Sequence, residues 1–347
     1  RRPYKANVGS SNLSTPTTYN YLHYFIYCQI QQFNWIICMD FRQSINLKCQ
    51  ILDCDLYRKK QLTVHLIRSD QAHLNVSGNK WFKLKYALLA AKQQQIKTVV
   101  SFGGAYSNHI HALAYAGQAL QIPVVGYIRG EWTVDNPTLK DAQAWGMQLK
   151  SLTREEYREK SSAEFLQKVA LEFPQSMVIP EGGTNQLALQ GVNELMTMIE
   201  QQLPALDHLV AACGTGGTLA GLISGARSTR SILGIPVLKG AGFLQQDIQA
   251  LLWEYALENT SDLLNKEYGD WQLDLEGHYG GYGKVKQQHL AAMLALESEH
   301  KVALEPIYTA KMWRRFDELV AQDYFKPGSQ IALLHSGGLQ GRRSFAV

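Results

Sequence analysis

The chain is poor in the features that mark several common functions. Its five cysteines, Cys28, Cys38, Cys49, Cys54 and Cys213, form no CxxC pair and have no histidine at zinc spacing. An odd set of this kind reads as reduced thiols in a cytoplasmic protein, and no metal centre is expected. The 34 basic and 30 acidic residues leave a net charge of +4, with no basic block interleaved with aromatics, so no nucleic-acid surface is expected. Low-complexity sequence is scarce. A clean membrane-length apolar run is also missing: YLHYFIYCQIQQFNWIIC, residues 21 to 38, is aromatic but interrupted by His23, Gln29, Gln31, Gln32 and Asn34. The polar, turn-rich RRPYKANVGSSNLSTPTTYN before it lacks the order of a signal peptide. The first methionine is Met39, so translation is expected to start there, with residues 1 to 38 a non-native or disordered extension and no membrane association.

What remains is 347 residues, 46% hydrophobic and 18% charged, enough for a soluble globular protein of two packed lobes with a cleft for small-molecule chemistry. From Leu62 onward, TVHLI, KTVVSF, IPVVGYI, MQLKSL, SMVIP, HLVAAC and IPVLKG read as strands. Between most of them lie helical stretches such as YALLAAK, HALAYAGQAL and FLQKVALEF. This alternation predicts an α/β fold with mainly parallel sheets flanked by helices. Ligands collect beyond the carboxyl ends of such strands, which singles out the glycine-rich loops after TVVSF and HLVAAC.

The loop CGTGGTLAG, residues 213 to 221, precedes a helical LAGLISGAR. Its glycines allow a sharp turn, and the amides at the helix start favour an anion, with Thr215 and Thr218 adding hydroxyls. It is not a Walker A loop, since no GK[ST] follows, and it lacks the dinucleotide GxGxxG order. A tight turn without ligand is the alternative reading. In SFGGAYSNHIHALA, residues 101 to 114, Ser107 and Asn108 fall at a helix N-cap. His109 and His111 point to different helix faces and read as packing or pocket-wall residues. In SGNKWFKL, residues 77 to 84, a lysine stands where a helix should begin; alone, it reads as solvated.

Taken in order, SGNK, GGAYSNHIHALA, GTGGT, EPIYTAKM and LLHSGG resemble the pyridoxal-phosphate enzymes of the tryptophan synthase β-subunit superfamily (fold type II). More closely they resemble the 1-aminocyclopropane-1-carboxylate deaminase and D-cysteine desulfhydrase family, over about Leu62 to Gly341. The resemblance implies a Schiff base between Lys80 and pyridoxal 5'-phosphate, with Lys83 and Lys85 not at that position. It places Asn108 on the phenolic oxygen of the cofactor ring and the phosphate in Gly214, Thr215, Gly216, Gly217 and Thr218. Ser107 would act on the substrate, and Tyr282 and Tyr308 would face it. Thr309 stands beside the pyridine nitrogen, where the cyclopropane-opening deaminases are expected to carry glutamate. A neutral hydroxyl there weakens the ring as an electron sink, which tilts the expectation toward β-elimination.

The expected protein is a cytoplasmic lyase acting on a small amino acid, and the resemblance alone implies a homodimer. Residues 39–84 plus 190–347 would form the large cofactor-binding domain and 85–189 a small α/β domain. D-Cysteine would give pyruvate, ammonia and sulfide. The alternatives are the cyclopropane amino acid, L-cysteine or a D-serine analogue as substrate, or a non-catalytic cofactor-binding regulatory protein.

Overall fold

The computed structural model describes residues 45, 47–133, 135–259 and 268–345, so the expectations for residues 1 to 38 lie outside it. The described chain builds two sheets. The larger runs β1-β2-β10-β7-β8-β9 and the smaller β5-β4-β3-β6. In the larger sheet, β1 (Lys48–Leu52) pairs antiparallel with β2 (Thr63–Arg68); short helix α1 (Asp55–Lys59) joins them, and every other pairing in both sheets is parallel.

The smaller sheet takes β3 (Thr98–Gly103), β4 (Val124–Arg129), β5 (Gln148–Leu152) and β6 (Ser176–Ile179). The larger adds β7 (His208–Cys213), β8 (Ser231–Pro236), β9 (Trp271–Leu273) and β10 (Gln330–Leu334). Strands β3, β4 and β7 are near-continuous apolar runs because parallel strands are covered on both faces. Val64, Leu66, Val210, Ile331, Leu333, Trp313 and Phe316 form the core around the larger sheet. Phe102, Val125, Tyr127, Tyr157 and Val169 do so for the smaller one.

Helices flank both sheets as expected. Those that matter for the site are α2 (Asn79–Gln93), α3 (Asn108–Leu120), α4 (Pro137–Ala144), α5 (Arg154–Arg158), α6 (Ala163–Glu172), α7 (Gln186–Gln202) and α8 (Gly217–Gly225). Then follow α9 (Leu244–Asn259), α10 (Gln287–His300) and α11 (Thr309–Ala321).

One expected strand is displaced. IPVLKG overlaps β8 only at Ile235 and Pro236, because the pairing segment is SILGIP. Val237 N–H still donates to Cys213 C=O at 3.0 Å, and the chain then turns away at Gly240, whose φ is +73°. No helix among the described residues is long and apolar enough to cross a membrane.

Candidate active site

The loops leaving β3, β7 and β10 meet at a cleft of about 430 Å³ whose lining includes Lys80, Ser107, Asn108, Gly214, Thr215, Gly216, Thr218, Tyr282, Tyr308 and Ser336. Lys80 is the second residue of α2, and what fixes it is the turn before. Gly78 has φ +67°, and a Cβ there would lie 1.9 Å from the Ser336 carbonyl oxygen. Asn79 N–H donates to that oxygen at 3.2 Å. The SGNK and HSGG stretches are therefore one interlocked backbone unit. The Asn79 amide also donates to Thr218 Oγ1 at 2.8 Å, tying the lysine turn to the loop after β7.

Burial lowers the Lys80 amine to about 8, against the opposing pull of the Glu305 carboxylate. Roughly a tenth of it is then neutral at pH 7, far more than for an ordinary lysine. Lys83, one turn further on, is fully buried, and its Nζ donates to Thr184 Oγ1 at 2.9 Å. Burial, with the charge of Lys80, pushes it well below the ordinary lysine range.

The loop after β7 enters α8 through Gly216 in the left-handed region. The first amides of a helix have no intrahelical acceptor and point to an anion. Thr215 and Thr184 share a hydrogen bond of 2.6 Å between hydroxyls. Lys83, Thr184 and Thr215 thus join a buried amine to the anion loop. Burial raises the neighbouring Cys213 thiol to about 12, so it stays protonated. Gly217 faces away: a Cβ there would meet the Thr184 side chain at 2.6 Å, and the residue does not line the cleft.

Ser107 is the N-cap of α3, accepting from Ile110 N–H at 3.3 Å, and it also lines the cleft. Asn108 begins the helix, and its Oδ1 accepts from Gln340 Nε2 at 2.5 Å. His109 forms part of the pocket wall. The Ser101 hydroxyl donates to Ile179 C=O at 2.6 Å, so His109 Nε2–H is the donor to Ser101 Oγ at 2.8 Å. This leaves Nδ1 an acceptor without a partner among the described residues. Burial and the two nearby lysines hold the ring well below the usual histidine range and hence neutral. His111 instead pairs with Asp141 at 3.0 Å, away from the cleft lining.

Tyr282 and Tyr308 meet edge to face with ring centroids 6.0 Å apart. Burial holds the Tyr308 phenol well above its ordinary range; Tyr282, 39% exposed at the cleft mouth, is raised by the desolvation of its covered part. Under Tyr308 lies Glu305, whose carboxylate accepts from the backbone N–H of Ile307 at 2.9 Å, of Tyr308, and of Thr309 at 2.6 Å. Burial raises this carboxyl to about 7 despite those amides. Thr309 is fully buried and outside the cleft lining, and its Oγ1 has no hydrogen-bond partner among the described residues.

The sequence named Lys83 only to set it aside as the Schiff-base lysine, and it pointed to no role for Thr184, Glu305, Arg129 and Glu181. The last two line the cleft from the smaller sheet, Arg129 5.8 Å over the Tyr157 ring and Glu181 paired with Lys160 at 3.3 Å. Glu305 alone carried a local signal, an acidic residue just ahead of a helix. The fold also brings Cys54, Glu299 and His300 within 4.8 Å of one another, which sequence spacing could not show. They do not line the cleft, and Glu299 is exposed with 3.8 Å between its carboxylate and His300 Nε2.

These groups fit pyridoxal phosphate: an anion loop over a buried amine, a desolvated lysine, and an orphaned hydroxyl next to the Tyr308 backbone. The chain is 28% identical to a protein of Pyrococcus abyssi provisionally named 1-aminocyclopropane-1-carboxylate deaminase, over 82% of this chain and 87% of that one. It is 27% identical to the mitochondrial bifunctional D-cysteine desulfhydrase/1-aminocyclopropane-1-carboxylate deaminase of Arabidopsis thaliana, over 79% and 72%. Its fold matches the crystal structure of an ACC deaminase homologue with a TM-score of 0.73 at 24% identity, covering 88% and 95% of the two chains. The family described as pyridoxal-phosphate dependent enzymes matches residues 60–337, and the chain belongs to it.

Proposed function

We propose that the protein is a lyase that converts D-cysteine and water to pyruvate, ammonia and hydrogen sulfide, with Lys80 as the cofactor-bearing lysine. The observation that carries the reading is Thr309: a neutral, buried, unpartnered hydroxyl follows Tyr308, where the resemblance expects glutamate in the cyclopropane-opening deaminases. Pyridoxal phosphate, when bound, supplies the sink for the electron pair left at Cα. In this reading the Thr309 hydroxyl, which lies behind the cleft lining, meets the ring nitrogen from below and makes that sink weaker than a carboxylate would, which favours a substrate carrying a good leaving group at Cβ. A thiol qualifies.

The rest of the reading assigns work to the residues in place. Lys80, lowered to about 8, would hold the cofactor and supply the amine that takes the Cα proton. Gly214, Thr215, Gly216 and Thr218 would hold the phosphate, backed by Lys83, while Gly217 shapes the turn. Asn108 would bond the ring oxygen of the cofactor, and Ser107 would hold the substrate carboxylate. Tyr282 and Tyr308 keep their protons at neutral pH and face the departing sulfur as O–H donors. A homodimer, which rests on the resemblance alone, and a cytoplasmic location, which rests on the unpaired cysteines, accompany this reading.

The test is product analysis with both cysteine enantiomers and with 1-aminocyclopropane-1-carboxylate. The expected result is pyruvate, ammonia and sulfide in equal amounts from D-cysteine, at a higher kcat/KM than 2-oxobutanoate and ammonia from the cyclopropane substrate. The reverse order would replace this reading with the deaminase.

A further inference from the structure

Lys311 is a fully buried lysine on the third residue of α11, and no role in the chemistry above uses it. Its Nζ donates to two carbonyl oxygens, His278 at 3.0 Å and Gly281 at 2.8 Å. Both acceptors already belong to turns of the preceding loop: Gly281 N–H donates to His278 C=O at 3.0 Å and Lys284 N–H to Gly281 C=O at 3.1 Å. One ammonium thus joins two consecutive turns that share Gly281, and the residue after Gly281 is Tyr282.

The loop needs such a tie. Gly280 and Gly281 have φ of +101° and +110°, Tyr279 of +45° and Gly283 of +69°, conformations that leave the backbone without regular pairing. Upstream it is pinned by Tyr279, stacked on His289 at 5.7 Å and covered by the Arg314 guanidinium 4.2 Å from the ring. Downstream of Tyr279, Lys311 makes the side-chain contacts among the described residues that fix Gly281. Burying an ammonium is costly unless its protons are placed, so these two carbonyls are held to a defined position.

We propose that Lys311 is a positioning residue that locks the 278–284 loop and thereby presents Tyr282 against Tyr308 at the cleft. The arrangement is two-sided. Glu305 fixes the backbone of Tyr308 through three amides, Lys311 fixes that of Tyr282 through two carbonyls, and the two rings meet between them. The part of this inference that concerns turnover rests on the substrate-facing role of the tyrosines proposed above; the locking of the loop does not.

The test is hydrogen exchange by mass spectrometry on the holoenzyme and the cofactor-free protein, comparing wild type with Lys311→Met and with Lys311→Gln, which keeps an N–H donor. Expected is at least about tenfold faster exchange in 278–284 for the methionine variant, less for the glutamine variant, with α11 protection and cofactor absorbance retained. kcat per cofactor-loaded site should fall roughly tenfold or more, with a smaller change in KM. Unchanged loop exchange in both variants overturns the proposal, whatever the substrate proves to be. So does a lowered Tm with per-site kcat unmoved, the signature of a merely structural lysine. If wild type turns over neither D-cysteine nor the cyclopropane substrate, the functional reading fails while the exchange data still decide the lock.

Discussion

Gly78 and Ser336 are packed backbone against backbone, so closely that a single added carbon on the glycine would overlap the serine carbonyl at 1.9 Å. The lysine turn cannot move without the loop that follows β10. Because Gly78 also has φ +67°, Gly78→Ala meets both a clash and a backbone penalty. The expected cost is on the order of 3 kcal/mol or more. A thermal melt should show a Tm lowered by several degrees, together with weaker cofactor binding in an absorbance titration; a variant as stable as wild type would contradict the interlock.

Glu305 makes a pH prediction. Its carboxyl is raised from 4.5 to about 7, so between those values the folded protein holds a proton that the unfolded chain releases. This group's contribution to stability therefore falls as pH rises from 4.5 to 7, by on the order of 3 kcal/mol, and the loss is complete above 7. Lys80 and Lys311, both lowered to about 8 by burial, face the same carboxylate and add the opposite slope from about 8 upward. Glu305→Gln should flatten the fall between pH 4.5 and 7 and move the lysine limb to lower pH, since the lysines lose their counter-charge. Urea melts of cofactor-free protein across pH 4.5 to 10.5 check this; an unchanged slope between 4.5 and 7 would mean the carboxyl does not titrate there.

Thr309 predicts a separation of stability from cofactor binding. Its hydroxyl is buried without a partner among the described residues, so Thr309→Val removes none of their bonds and should change the stability of the cofactor-free protein by less than about 1 kcal/mol. Pyridoxal phosphate should nevertheless bind more weakly, because the group proposed to meet its ring nitrogen is gone. Equal affinity in wild type and variant would place the nitrogen elsewhere.

The parts of this site that sequence could reveal are those where backbone chemistry repeats locally. The helix starting beside Lys80, the Ser107 cap and the glycine-rich entry to α8 all follow from turn and capping rules within a few residues. Strands such as TVVSFG and HLVAAC carry their own apolar signature. The short β1 and β9 do not, being edge strands with little burial. Long-range partners were illegible: Thr184 lies 101 residues from Lys83, and the carbonyls that Lys311 grips lie 33 and 30 residues before it. Nothing near Lys311 in sequence marks it as buried, since lysines at such positions are usually solvated.

The central claim is that Lys80, not its buried neighbour Lys83, carries the cofactor. Both amines line the cleft, and both are lowered by burial, but Lys83 is engaged with Thr184 beneath the anion loop. Borohydride reduction of the holoenzyme followed by peptide mapping tests this most directly. The account predicts a pyridoxyl label on Lys80, and none in a Lys80→Ala variant that still folds; a label on Lys83 or Lys85 with Lys80 unmodified would contradict it.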